Sequence, residues 1–173
     1  MKTLQTIPRF IFMTLAAALF STGAFAQAIE KNIDVKAAWV RATVAGQKAT
    51  GAFMTLTTKQ NLRLVSISSP AAGVAEVHEM RMDGDVMKMR ALPGLDLPAG
   101  KAVELKPGSY HVMLMDLNAP MTVGSTVPLS LLFKNAKGVS SKLDISAPVS
   151  LSAPGSTGKM AEKMDGEMKM HKH

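Results

Sequence analysis

The chain has 173 residues, a formal net charge of +7, no cysteine and a single tryptophan, which is enough length for one domain with its own core and too little to expect several. Without cysteine there are no disulfide staples and no thiolate metal centre, and a lipid anchor on cysteine is not expected. The basic residues are scattered instead of forming a patch, so the charge does not point to a nucleic-acid partner.

In chain order, residues 1–26 read as a secretory signal. Lys2 and Arg9 supply a basic start, Phe10 to Phe20 an apolar run, and Ala24-Phe25-Ala26 a small-x-small cleavage site before Gln27. The run falls short of the roughly 20 apolar residues that a membrane span needs, and no later segment is long or apolar enough. Export to the periplasm and a mature chain without a membrane span are therefore expected. Removing the signal leaves 18 Lys+Arg against 13 Asp+Glu, a net of +5.

Short runs rich in β-branched residues then recur between turn signals. They are Ile33 to Lys36, Ala38 to Thr43, Gly51 to Thr58, Leu62 to Ser69, Ala75 to Met82, Val86 to Ala91, Ala102 to Leu105, Tyr110 to Leu117, Thr126 to Phe133 and Ser140 to Ser146. Helical periodicity is hard to find, and this spacing predicts an all-β sandwich or barrel with Trp39 as a core anchor. From Ser152 the pattern gives way to a Ser/Gly/Pro linker and a charged tail. The predicted organisation is a signal at 1–26, a domain at 27–151 and a flexible tail at 152–173.

The chemistry concentrates in VHEMRMDGDVMKMR. Taking Asp83-Gly84 as a two-residue hairpin turn pairs Met82 with Asp85, Met80 with Met87 and His78 with Met89. Residues opposed in this way hold their Cβ atoms about 4.5–5.5 Å apart, within joint reach of one ion. Alternation puts Met80, Met82 and Met87 on that face and Glu79, Arg81, Lys88 and Arg90 on the other. In SYHVMLMDL, alternation likewise sets His111, Met113 and Met115 on one face of a strand. Whether that strand lies beside the hairpin is a tertiary question.

Thioether sulfur is soft and imidazole borderline, so two of each suit Cu(I) better than Zn(II), Mg(II) or Ca(II). In an oxidising compartment thioethers also escape the disulfide chemistry that removes thiolates. The plainer reading is that methionine fills cores, and Met80, Met82, Met87 and Met115 are expected to be core or outer packing. Either histidine alone would ordinarily be a satisfied buried one, but their shared company of methionines favours ligation. No serine, cysteine or carboxylate is arranged beside them as a catalytic partner, so an enzyme is not expected.

His78, Met89, His111 and Met113 match H-x10-M-x21-H-x-M without a gap, and here the sequence resembles the periplasmic copper chaperones called PCu(A)C. The likeness extends to AWVRAT, GAFMTL, VHEM and DLPAGKAVELKPGSYHVMLMDL. The resemblance implies a cupredoxin-like (Greek-key) β-sandwich, Cu(I) held by those four side chains, and delivery to the Cu(A) subunit of cytochrome c oxidase, with a Sco-type thiol protein as a further partner. The tail lies outside the signature. Its Met160, Met164, Met168, Met170, His171 and His173 are candidate auxiliary ligands, thioethers for Cu(I) and imidazoles for Cu(II), on a segment whose composition otherwise predicts a solvated end. Besides the chaperone, a periplasmic copper buffer or resistance protein and a metal-free structural sandwich fit the same residues. Blue-copper electron transfer does not, because its site needs a cysteine.

Overall fold

The computed structural model describes residues 32–155, all of whose regular structure is strand. The expected signal at 1–26 and the candidate ligands from Met160 to His173 lie outside the described residues. The strands are β1 (Ile33–Arg41), β2 (Ala49–Thr58), β3 (Leu62–Ser68), β4 (Ala72–Asp83), β5 (Val86–Ala91), β6 (Leu95–Leu97), β7 (Ala102–Leu105), β8 (Tyr110–Leu117), β9 (Thr126–Asn135) and β10 (Ser140–Ser150). One sheet runs β5-β4-β8-β2-β1, with β7 also on β2, and the other runs β10-β9-β3-β6. They join where β1 and β10 run parallel through Val40 and Val149. No helix among the described residues is long and apolar enough to cross a membrane.

The fold is the expected all-β, cupredoxin-like sandwich. Its core lies between the sheets, where Leu56, Val112 and Leu114 meet Leu64, Leu129, Leu131 and Phe133, each at most 1% exposed. Burying an aliphatic or aromatic side chain contributes about 1.5–3 kcal/mol, so this layer dominates stability. On β2 and β8 the even-numbered residues take the inner face. The odd-numbered ones, including Gly51, Phe53, His111 and Met113, form the outer face of the first sheet.

Three local expectations are corrected. The runs at 33–36 and 38–43 are one strand, interrupted between Lys36 and Trp39 by a register shift at which Ala37 takes φ 49°. The extra residue switches the faces: Val35 opposes Leu56 on the inner side before it, and Val40 opposes Ala52 there after it. Trp39 is therefore buried at 4% exposure, as an anchor should be, but on the outer face. The sequence also gave no sign of β6, whose three residues between Gly94 and Pro98 are too few to show alternation.

The third correction concerns the hairpin. Its turn is Gly84-Asp85, so Asp83 opposes Val86, Met82 opposes Met87, Met80 opposes Met89 and His78 opposes Ala91. Gly84 has φ 62° and Asp85 is not among the residues of positive φ, the pattern of a type II′ turn with glycine first. The expected register would have set Arg90 against Val77, which is 6% exposed on the inner face. In the observed register the Leu92 N–H donates to the Val77 carbonyl at 2.8 Å, Leu92 packs on the core, and Arg90 meets Glu79. Burial fixes the register, and because the slip is two residues every side chain keeps its face.

Candidate metal site

Strand β8 lies between β4 and β2, and His78 is directly opposite His111. The first sheet thus gathers all four signature residues on its outer face. Met89 comes from β5 at the edge, His78 from β4, and His111 and Met113 from β8, with Met113 opposite Glu76 on one side and Gly51 on the other. The expected His78–Met89 opposition is not formed; Met89 instead faces Met80 across the hairpin and reaches over to His111.

At the centre, His111 Nε2 lies 3.2 Å from the Met89 sulfur. The other ring nitrogen, Nδ1, is 3.0 Å from the Ser109 carbonyl, which can only accept, so Nδ1 carries the proton and Nε2 presents a lone pair. Ser109 O also accepts the Met80 N–H at 3.3 Å, tying the ring to the hairpin backbone. His78 repeats the logic with its nitrogens exchanged. Its Nε2 lies 3.0 Å from Glu76 Oε2, while its Nδ1 is buried without a hydrogen-bond partner. Donating Nε2–H to the carboxylate leaves Nδ1 as a bare acceptor, whereas a proton on Nδ1 would be an orphaned buried donor. Each histidine thus has one nitrogen anchored by an acceptor and the other free, the arrangement that ligand histidines take with their supporting partners. The ring centroids are 5.9 Å apart.

With Nδ1 protonated and the ring neutral, Nε2 sets a lone pair beside the thioether sulfur, two donors that one cation could share. Around a d10 ion with bonds of about 2.0–2.1 Å to nitrogen and 2.3 Å to sulfur, tetrahedral ligands sit roughly 3.5 Å apart, a few tenths of an ångström more than this pair. Among the described residues no three histidine, cysteine or carboxylate side chains are arranged to hold a metal, which leaves the thioethers to complete a donor set and makes that set soft.

The site has an aromatic floor. Trp39 and Phe53 stack with ring centroids 4.6 Å apart, and Phe53 lies 6.5 Å from the His111 ring. Gly51 permits this, because a Cβ there would come within 2.6 Å of Phe53 Cζ. The Arg41 guanidinium lies over the Phe53 ring, 5.4 Å from its centroid. A shallow cleft of about 270 Å³ opens beside His111, lined in part by Met80, Met89 and Met113. Two larger clefts, one at Arg63 and Asp96 and one at Ile67 and Leu92, hold no histidine or methionine.

Exposure separates the methionines. Met89 is 50% exposed while His111 is 7% exposed, so of the two side chains in contact the thioether is the one open to solvent. Met82 and Met87, expected to pack, are instead 56% and 54% exposed, because the hairpin projects beyond β8 and no described residue covers its end. Met80 and Met115 are half-buried. Sequence reasoning missed Glu76, although its place two residues before His78 on a strand puts the carboxylate on the same face. It also missed Gly51 and Phe53, which only the pairing of β2 with β8 brings to the site, and the Ser109 carbonyl, two residues before His111.

Residues 33–149 match the family model described as "Putative lipoprotein LpqE-like". The "Putative lipoprotein Lxx21020" of Leifsonia xyli subsp. xyli is 31% identical over 105 residues, covering 60% of this chain and 63% of the relative, so the match spans less than two thirds of that relative's length. Among solved structures, Cu(I)-DR1885 from Deinococcus radiodurans is similar at 31% identity and a TM-score of 0.52, over 70% of this chain and 79% of that one. The apo PCuAC domain from PmoF1 matches 71% of this chain and 95% of its own at a TM-score of 0.55 and 22% identity, a likeness of fold.

Proposed function

The chain belongs to the LpqE-like family, and from that premise and the outer-face geometry we propose that it carries copper in the cell envelope, binding Cu(I) through His78, Met89, His111 and Met113 and delivering it to an acceptor protein. The observation that carries this reading is the pair of histidines with one nitrogen anchored and the other free, one of them 3.2 Å from a thioether. The similarity to a protein solved with Cu(I) supports the choice of metal, as does the soft donor set.

The same geometry makes release feasible. All four ligands are neutral, so the ion leaves without a proton having to return to the site. Met89 sits half-exposed on an edge strand and is the ligand that an acceptor's side chain displaces first. His111 stays fixed by Ser109 and by the floor beneath it, so the site keeps its shape as copper departs. The acceptor proposed is the Cu(A) subunit of cytochrome c oxidase, with a Sco-type thiol protein as intermediary. The signal at 1–26 would place the exchange in the periplasm, and the tail ligands, Met160 to His173, would add capacity for Cu(I) and Cu(II).

Transfer tests the reading. The Cu(I)-loaded protein is mixed with an apo Cu(A) domain under reducing conditions, the mixture is oxidised, and Cu(A) absorbance is read. Its growth is expected with the wild type and not with a variant in which the four ligands are replaced by alanine. Equal transfer by both would exclude this site.

A further inference from the structure

We propose that Met82 and Met87, with Met80, form a second and outer Cu(I) site at the hairpin end, where the ion is captured before it passes to Met89 and His111. The proposal rests on the reading of the inner site given above and extends it outward along one face of the hairpin.

Met82 and Met87 are directly opposed across β4 and β5, and both are more than half exposed. Two large apolar side chains held in water on a projecting hairpin contribute nothing to the core. Leucine would pack as well as methionine where packing is the purpose, so it is the sulfur that distinguishes these positions. The opposite face of the same hairpin is charged and internally paired, Lys88 with Asp83 at 2.5 Å and Arg90 with Glu79 at 3.0 Å. Lys88 and Arg90 are thereby held away from the thioether face.

Opposed residues hold their Cβ atoms about 4.5–5.5 Å apart. Two sulfurs about 2.3 Å from one ion can lie up to roughly 4.6 Å from each other, which matches that span. Met80 is one row inward on the same face, roughly 6.6–7 Å along the strand, and it also lines the cleft with Met89 and His111. It therefore belongs to both neighbourhoods. Three thioethers without an imidazole make a softer and weaker site than the inner one, as a first landing place requires.

Passage inward is ligand exchange. Bonds from copper to the Met82 and Met87 sulfurs break as bonds to the Met89 sulfur and His111 Nε2 form with Met80 still bound, and the Met80 bond then breaks as His78 and Met113 complete the inner set. The ion remains monovalent, and neither thioether nor neutral imidazole gives up a proton, so no oxidant, reductant or base is consumed.

The test uses the full mature chain labelled with 13C at the methionine methyls, titrated anaerobically with Cu(I) and followed by NMR. The first equivalent should move the Met89 and Met113 methyls and the second those of Met82 and Met87. In M82L/M87L the first set should move at the same midpoint, while loading from a Cu(I)–chelator complex slows several-fold. The proposal is overturned if the Met82 and Met87 methyls stay fixed through two equivalents, if the second equivalent moves only the methyls of Met160 to Met170, or if loading is as fast in the double variant. If Met89 and Met113 never move, the inner site itself fails, a result distinct from a silent hairpin end.

Discussion

Replacing Glu76 tests the claim that a carboxylate sets the free nitrogen of His78. In Glu76→Ala the acceptor 3.0 Å from Nε2 is gone, so the ring can turn or take its proton on Nδ1, which then offers an ion no lone pair. Removing a supporting partner of a ligand histidine typically costs 10–100-fold in metal affinity, or about 1.4–2.7 kcal/mol. The Glu76 side chain is 43% exposed, so its charge is screened and the low end, about tenfold, is expected. Glu76→Gln keeps an oxygen that accepts Nε2–H while losing the charge, and it should lie between Ala and wild type. Competition against a chromogenic Cu(I) chelator gives the affinities, and 15N NMR of the metal-free protein reads the His78 tautomer directly. Wild-type affinity in Glu76→Ala, or a proton on Nδ1 in the wild type, would refute the reasoning. Losing this hydrogen bond should cost on the order of 1–3 kcal/mol, less than the roughly 5–15 kcal/mol that holds a domain folded, so the variant should still fold.

Other residues separate binding from stability. Met89→Leu preserves size at a position that is 50% exposed, so thermal unfolding should shift by no more than about 0.5 kcal/mol while Cu(I) affinity in the chelator assay drops at least tenfold. Gly51→Ala drives a methyl to within 2.6 Å of Phe53 Cζ, and the overpacking should destabilise the fold by about 1–3 kcal/mol in urea unfolding and displace the ring beneath His111. Leu131→Ala, in the sheet that does not carry the site, should cost about 2–5 kcal/mol in the same measurement yet leave the Cu(I) affinity of the folded fraction unchanged. Cu(II) added to the wild type should give no intense blue band, since the 173 residues hold no cysteine.

Strand positions, the all-β class and the division of the hairpin into a methionine face and a charged face were legible in the sequence, because side chains on a strand alternate with period two whatever the strand pairs with. That period survives a register slip of two residues, so Met80, Met82, Met87 and Met89 share a face in the expected and the observed hairpin alike. Which residues oppose one another was settled by tertiary burial, which sets Leu92 and not Arg90 beside Val77. The pairing of β4 with β8, which sets His78 against His111, joins strands separated by other elements, and no local pattern encodes it. The reach of Met89 to His111 and the shift in β1 that turns Trp39 outward likewise depend on residues that meet only after folding, whereas Glu76 and Ser109 each lie two residues from the histidine they anchor. Residue type and spacing chose the soft donors, and long-range strand pairing decided which of their nitrogens and sulfurs face one another.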